Sequence, residues 1–215
     1  MRSRNILILV AALILGSAVG FRHTVAGLSA QASFNGVTVV QKVYYNCTPG
    51  QSGCEVAAIQ TDAYDSGLAH VTMLATKGDL LPTERLIDIG EQQIHVFPAV
   101  NEYFTLNLKR LPARPPDTTG QCTAFLQAGM VAAGTRNIGG YRALRFKDSN
   151  GLIVNYLPDL GCVSIVESAS RAAQPGQPPA TTIYVPESIT PSVDRALFAP
   201  NPGMVETLPS KALHD

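Results

Sequence analysis

The sequence lacks tryptophan and has no excess of either charge, since its 215 residues include 16 Lys and Arg against 16 Asp and Glu. Nucleic-acid-binding surfaces are usually rich in Lys and Arg, so this balance argues against a nucleic acid as partner. The phosphate-loop, dinucleotide-binding, nucleophile-elbow and zinc-protease motifs are also absent from the chain. We therefore expect a protein that uses no cofactor and no metal.

The first 32 residues have the layout of a secretory signal. Two arginines precede an apolar stretch at 6–15, and small residues follow it. Signal peptides are cleaved after small residues, which gives two candidate sites, after Gly20 and after Ala32. We expect residues 1–32 to be a signal peptide with a short leader, and the protein to be exported to a periplasm or to the extracellular space. An uncleaved segment would instead be a membrane anchor, and it would provide the only membrane contact that we expect.

The number of cysteines is even, and in an oxidising compartment this predicts disulfides. The chain has four, namely Cys47, Cys54, Cys122 and Cys162. Three pairings are possible. The stretch 48–53 is rich in turn-forming residues and can bring Cys47 close to Cys54. This favours the Cys47–Cys54 pair and, by elimination, Cys122–Cys162, while no C-x2-C pair supports zinc.

Short runs of alternating apolar and polar residues, separated by turn residues, dominate the chain. Such runs predict half-buried strands. They lie at 37–45, 86–89, 93–97, 103–108, 140–146, 151–157, 161–166 and 181–185. Asn150 and Gly151 favour a tight hairpin turn between two of these strands.

Two segments have helical features. After Thr119, apolar residues recur with helical spacing as far as Met130, and Gly134 can end the helix. The second segment is 191–198, which Thr190 can cap. The fold class that we expect is mainly β (α+β), a curved antiparallel sheet or half-barrel with one or two covering helices. It would form a single β-rich domain at 33–198, followed by a Pro-rich tail at 199–215.

Three stretches in the C-terminal half resemble a known family. They are AGTRNIGGYRA at 133–143, the turn PDLG at 158–161 and ALFAPNPGMVE at 196–206. Together they are similar to segments of uncharacterised exported bacterial proteins and of the periplasmic lipoprotein-carrier (LolA/LolB-like) superfamily. The resemblance implies a curved antiparallel half-barrel closed by helices, with an apolar concave face that holds lipid acyl chains.

Our leading hypothesis is therefore an exported, non-enzymatic domain that binds a lipid or another apolar ligand in a sheet concavity. The expected partners are a lipid or an envelope protein. The strand residues that we predict to face the ligand are Phe104, Leu106, Leu108, Leu144, Phe146, Val154 and Tyr156.

Two alternatives belong to other functional classes. The chain could be a structural or interaction module of the cell envelope that acts through a strand edge or through its tail. It could also be a secreted hydrolase with a dispersed site around His70 or His95, although no local motif marks a nucleophile.

Overall fold

A computed structural model describes residues 36–65, 69–78, 84–107, 120–123, 126–172 and 178–208. They belong to the second of two compact units, Asn35–Asp215. The expected signal peptide and both of its cleavage sites lie outside the described residues.

The described residues form one sheet of twelve strands, so the expectation of a mainly β fold is confirmed. The strands are β1 (Val37–Tyr45), β2 (Ala58–Asp65), β3 (Ala69–Thr76), β4 (Glu84–Ile89), β5 (Gln92–Phe97), β6 (Glu102–Asn107), β7 (Val131–Ile138), β8 (Tyr141–Lys147), β9 (Ile153–Leu157), β10 (Val163–Arg171), β11 (Ala180–Thr190) and β12 (Val205–Glu206). Their order is β12-β6-β5-β4-β3-β2-β1-β11-β10-β9-β8-β7. Every pair is antiparallel except β12 with β6, and the sheet is not closed.

The strand β1 forms where apolar and polar residues alternate. Val37, Val39, Gln41 and Val43 are buried on one face, whereas the residues between them are half-buried. Strands β2 and β3 were not predicted because their sequences, AIQTDAYD and AHVTMLAT, do not alternate clearly. Their polar side chains bond to one another on one face of the sheet, which a pattern of hydrophobicity does not reveal.

The predicted helix after Thr119 is wrong for the residues that are described there. Cys122 has φ +54°, which lies in the left-handed region and is incompatible with an α-helix. Residues 126–130 form turns with i to i−3 bonds, such as Met130 N–H to Gln127 O at 3.2 Å. Strand β7 (Val131–Ile138) begins directly afterwards, so Gly134, which was expected to end the helix, lies in a strand instead.

The second predicted helix is much shorter than expected. It is a 3₁₀ helix at Arg195–Phe198, and its cap is Asp194, whose Oδ1 accepts the Ala196 N–H at 2.9 Å. Thr190, the expected cap, ends β11. Within the described ranges no helix exceeds these four residues, and none is long and apolar enough to cross a membrane. The expectation of covering helices is thus wrong for this part of the chain.

A bond between distant strands shows that the sheet is strongly curved. The Tyr64 hydroxyl on β2 donates to Ser164 O on β10 at 3.0 Å, although β1 and β11 lie between these strands. Three strand spacings of about 4.8 Å would separate them by about 14 Å in a flat sheet, which a tyrosine side chain cannot span. We call the face that bears Tyr64 and the buried residues of β1 the concave face, and the opposite one the convex face.

Strands β10 and β11 separate within the curved part of the sheet. Their pairing ends at Ser168 and Ile183, and Pro186, which has no N–H to donate, follows on β11. Val166 O accepts instead from the Gln41 side chain on β1 at 2.8 Å. Side-chain donors therefore replace the missing backbone bonds at the point where the two strands part.

Each face of the sheet carries an apolar core. On the convex face, a cluster of Ala63, Val71, Ile87 and Val96 is covered by the C-terminal segment, residues 191–208, through Val193, Leu197, Phe198 and Met204. On the concave face of β8 and β9, Cys122, Leu126 and Met130 pack on Phe146, Val154 and Tyr156. A disulfide between Cys122 and Cys162 fixes this second cover, and the other disulfide joins Cys47 to Cys54.

Candidate functional site on the concave face

The register of β2 to β6 aligns two rows of side chains on the concave face. The first row is Tyr64, His70, Asp88, Gln93 and Leu106, and the second is Asp62, Thr72, Leu86, His95 and Phe104. Polar and apolar groups therefore lie side by side along this half of the concavity.

Asp62 is the centre of the first polar network. Asp62 is only 6% exposed, and its carboxylate accepts bonds from Thr72 Oγ1 at 2.7 Å and from Gln60 Nε2 at 2.7 Å. His70 Nε2 lies 3.3 Å from the same Oδ1 atom that Thr72 contacts. The buried charge is thus compensated by hydrogen bonds, as a stable structure requires.

Tyr64 and His70 form one wall of this network. Their rings stack with centroids 4.4 Å apart and planes 13° apart. Burial and the nearby charge of Asp62 raise the pKa of the Tyr64 hydroxyl far above its ordinary value. The hydroxyl therefore stays protonated, as its donor role toward Ser164 requires.

His95 is the centre of the second network. Its Nδ1 lies 2.8 Å from Glu84 Oε1 and its Nε2 lies 3.1 Å from Gln93 Oε1. Gln93 in turn donates to Asp88 Oδ1 at 2.9 Å. The imidazole stacks on Phe104, with centroids 4.5 Å apart and planes 12° apart, so its orientation is fixed on both edges and on one face.

Neither histidine is arranged as the base of a Ser-His-Asp-type triad. Such a base contacts the acid through one ring nitrogen and the nucleophile through the other. Nε2 of His70 contacts both Asp62 and Thr72, and the Thr72 hydroxyl donates to the carboxylate. The second nitrogen of His95 meets a glutamine oxygen, so no hydroxyl nucleophile takes part in that network.

This half of the concave face bears negative charge. Its carboxylates are Asp62, Glu84, Asp88 and Glu102, and strands β1 to β6 place no Lys or Arg among them. The described residues include no group of three or more His, Cys, Asp or Glu that could hold a metal ion.

The described residues of the predicted ligand face all lie on the concave side, in two different settings. Phe104 and Leu106 line the open rows of β6. The others pack beneath Cys122, Leu126 and Met130, and they are Leu144, Phe146, Val154 and Tyr156. Leu108 lies outside the described residues. Contact of this set with a ligand stays a prediction.

A cavity of about 350 Å³ opens where the ends of β1, β10 and β11 meet. It is lined by Tyr45, Asn46, Ala169, Ser170, Arg171, Ala180 and Thr182. Asn46 fixes one wall, because its N–H donates to Thr181 O and its Oδ1 accepts the Thr181 N–H, both at 2.8 Å. The sequence did not mark this cavity, since its residues come from three separate strands.

A second group that the sequence did not mark lies on the convex face, at a bulge in β10. Glu167 accepts two bonds from Arg145, at 2.8 and 2.9 Å, and one from Asn155 at 3.1 Å. Arg136 Nη1 lies 2.9 Å from the same carboxylate. The two-pronged contact with Arg145 identifies a structural ion pair, and these hydrogen bonds and positive charges lower the pKa of Glu167 to about 2.

No protein-family model matches the chain, and no curated protein matches its sequence. Its structure is similar to an uncharacterized conserved protein from Thermus thermophilus, with a TM-score of 0.42 and 7% identity over 87% of this chain and 99% of that one. It is also similar to a LolA superfamily protein from Nitrosomonas europaea, with a TM-score of 0.34 and 8% identity over 80% and 93%. A chain of the MucA/MucB complex from Pseudomonas aeruginosa gives a TM-score of 0.33 and 11% identity over 80% and 57%. The resemblance to the LolA superfamily that the sequence suggested is thus also found between structures.

Proposed function

We propose that this chain is an exported, non-enzymatic binding module that takes an amphipathic ligand on its concave face. The observation that supports this most is the Tyr64–Ser164 bond, because it requires the central sheet to curl into a concavity. Export is supported by the layout of residues 1–32 and by two disulfides, which form and persist in oxidising compartments.

The side chains of the concavity favour an amphipathic ligand over a purely apolar one. Leu86 and Leu106 are only half-buried there, and Phe104 packs beside them, so an alkyl group would find apolar contacts. Each of the two polar networks leaves an imidazole partly exposed, with 34% of the His70 side chain and 20% of the His95 side chain accessible. Ligand sites commonly combine an apolar lining with a few placed polar groups in this way.

Native mass spectrometry of the protein purified from the compartment of export tests the proposal. We expect a lipid-sized adduct that is absent from the denatured mass, together with a mass four protons short of the reduced chain. In vitro, the uncharged fluorescent probe N-phenyl-1-naphthylamine should bind the wild type and be displaced by the nonionic detergent dodecyl maltoside.

A matched pair of variants locates the site. Leu86→Asn changes the centre of the concave face and should weaken probe binding, whereas Ile89→Asn changes an exposed residue on the convex face of the same strand and should not. Equal binding by the wild type and Leu86→Asn, with both proteins folded by circular dichroism, would place the ligand elsewhere. The absence of both an adduct and probe binding would refute the proposal.

One edge of the sheet favours a second candidate, an interaction module of the envelope. Strand β7 ends the sheet and is largely exposed, with Val131 55% accessible. An unpaired edge can accept a strand from another protein. Crosslinking in intact cells from a cysteine placed at Thr135 should then recover a partner, and recovery of monomer alone would eliminate this candidate.

A further inference from the structure

The cavity between the ends of β1, β10 and β11 belongs to the concave face. Thr182 of β11 lies between Tyr45 of β1 and Ala169 of β10. Further along the same pair of strands, Ala180 of β11 lies opposite Arg171 of β10. All five residues lie on the same side of the sheet as Gln41 and Val43. A ligand that follows the concave face would therefore reach this cavity at the end of the central strands.

The charge of the cavity is opposite to that of the concave face of β1 to β6. Arg171 is the one Lys or Arg that β1 to β6, β10 and β11 place on this face, as far as these strands are described. It is exposed, and none of the ion pairs between described residues includes it. Its guanidinium is thus available to an anion from solution.

The polar groups that remain around Arg171 can each donate a hydrogen bond. Asn46 uses its Oδ1 to accept the Thr181 N–H, so its Nδ2 is the group left for a ligand. Thr182 and Tyr45 add hydroxyl groups, and Tyr45 is 51% exposed with its ring on the cavity wall. Donors around one cation favour a ligand with an anionic acceptor.

Two features narrow the class of anion. The guanidinium fork matches a carboxylate with two parallel bonds, whereas a phosphate monoester carries up to two negative charges and the described lining offers a single cation. The volume of about 350 Å³ lies at the low end of the range for small-molecule sites, about 300–1,000 Å³. It therefore suits the polar end of a ligand whose apolar part continues along Ala169, Ala180 and the Tyr45 ring.

We infer that Arg171 binds the carboxylate of a long-chain amphipathic acid, with Tyr45, Asn46 and Thr182 completing the site. The inference rests on the proposed function, because the alkyl chain is assigned to the concave face.

Isothermal titration calorimetry with the full chain tests the inference, with dodecanoate as the probe below its micellar concentration. Arg171→Gln should weaken dodecanoate binding by about tenfold or more, as the loss of a charge-assisted bond implies. Arg171→Lys should restore part of the affinity, because it keeps the charge without the fork. Arg142→Gln is the matched control, since it removes an exposed arginine from β8 without touching the cavity.

Three probes separate this inference from the proposed function. Dodecyl maltoside binding should be the same in wild type and Arg171→Gln, and dodecyl phosphate should bind wild type no more tightly than dodecanoate. Unchanged dodecanoate affinity in Arg171→Gln, or tighter binding of the phosphate, would overturn the carboxylate site and leave the proposed function standing. If the wild type binds neither dodecanoate nor dodecyl maltoside, both the carboxylate site and the proposed function are refuted.

Discussion

Replacement of Glu167 by glutamine should destabilise the fold in a way that depends on pH. The carboxylate accepts two bonds from Arg145 and one from Asn155, and it also pairs with Arg136. Glutamine keeps the shape and one acceptor oxygen but removes the charge. The neighbouring arginines would then repel each other without compensation.

The magnitude follows from the lowered pKa of Glu167. The fall from 4.5 to about 2, converted at about 1.36 kcal/mol per pKa unit, corresponds to a ceiling of about 3.4 kcal/mol. The side chain is 23% exposed, so solvent screening lowers the expected loss to about 1–2 kcal/mol at pH 7. Because the pKa is lower in the folded state, this stabilisation is full above about pH 4.5 and is lost as pH falls toward 2.

Urea unfolding of wild type and Glu167→Gln between pH 7 and pH 2.5 measures this difference. We expect the gap in free energy of unfolding to shrink steadily below pH 4.5. Glu187→Gln is the control, since Glu187 pairs with Lys42 on the surface with exposed fractions of 44% and 39%, and solvent screening there should make its loss of stability much smaller. A gap that stays constant down to pH 2.5, or an equal loss in the control, would refute the reasoning.

Three further substitutions test how the sheet is held. Tyr64→Phe leaves Ser164 O without its donor and should cost about 1–3 kcal/mol in urea unfolding; an unchanged midpoint would show that the bond does not hold the curve. Joint replacement of Cys122 and Cys162 by alanine opens a 40-residue loop and should cost about 3–4 kcal/mol in the chain-entropy model. A smaller loss of stability than the one caused by replacing Cys47 and Cys54, which close a short loop, would contradict that model. Gly36→Ala should lower the melting temperature, because φ is +115° there and a Cβ would lie 2.5 Å from a side-chain carbon of Val193. A melting temperature equal to that of wild type would show that Val193 and the backbone at residue 36 can move apart to make room for the Cβ.

Several elements could be predicted because their signal is local. The alternation of valines marks the bounds of β1. The turn residues 48–53 fold back within one short loop, so the Cys47–Cys54 bond joins residues that are close in sequence. Asn150 and Gly151 mark the hairpin between β8 and β9, where Gly151 has φ +89°. In each case the residues that decide the structure lie within a few positions of one another.

Other elements could not be predicted because distant residues decide them. The spacing after Thr119 favours a helix, yet the disulfide to Cys162 accompanies a left-handed backbone at Cys122 that no helix contains. Asp62 of β2 can be buried because Thr72 and His70 of β3 contact its carboxylate from the neighbouring strand. A pattern of hydrophobicity has no means of detecting such compensation.

By itself, then, the sequence determined the strand-rich class, the hairpin turn and the number of cysteines available for cross-linking, because periodicity and turn chemistry act between near neighbours. The tertiary structure decided which contacts hold the curvature and where the cavity beside Arg171 lies. The curvature is held by Gln41 and Tyr64, which reach across the sheet to carbonyls of β10 that are 125 and 100 residues away in sequence. The cavity depends on the pairing of β1 and β10 with β11. Contacts of that separation are set by the register of many strands together and leave no local trace.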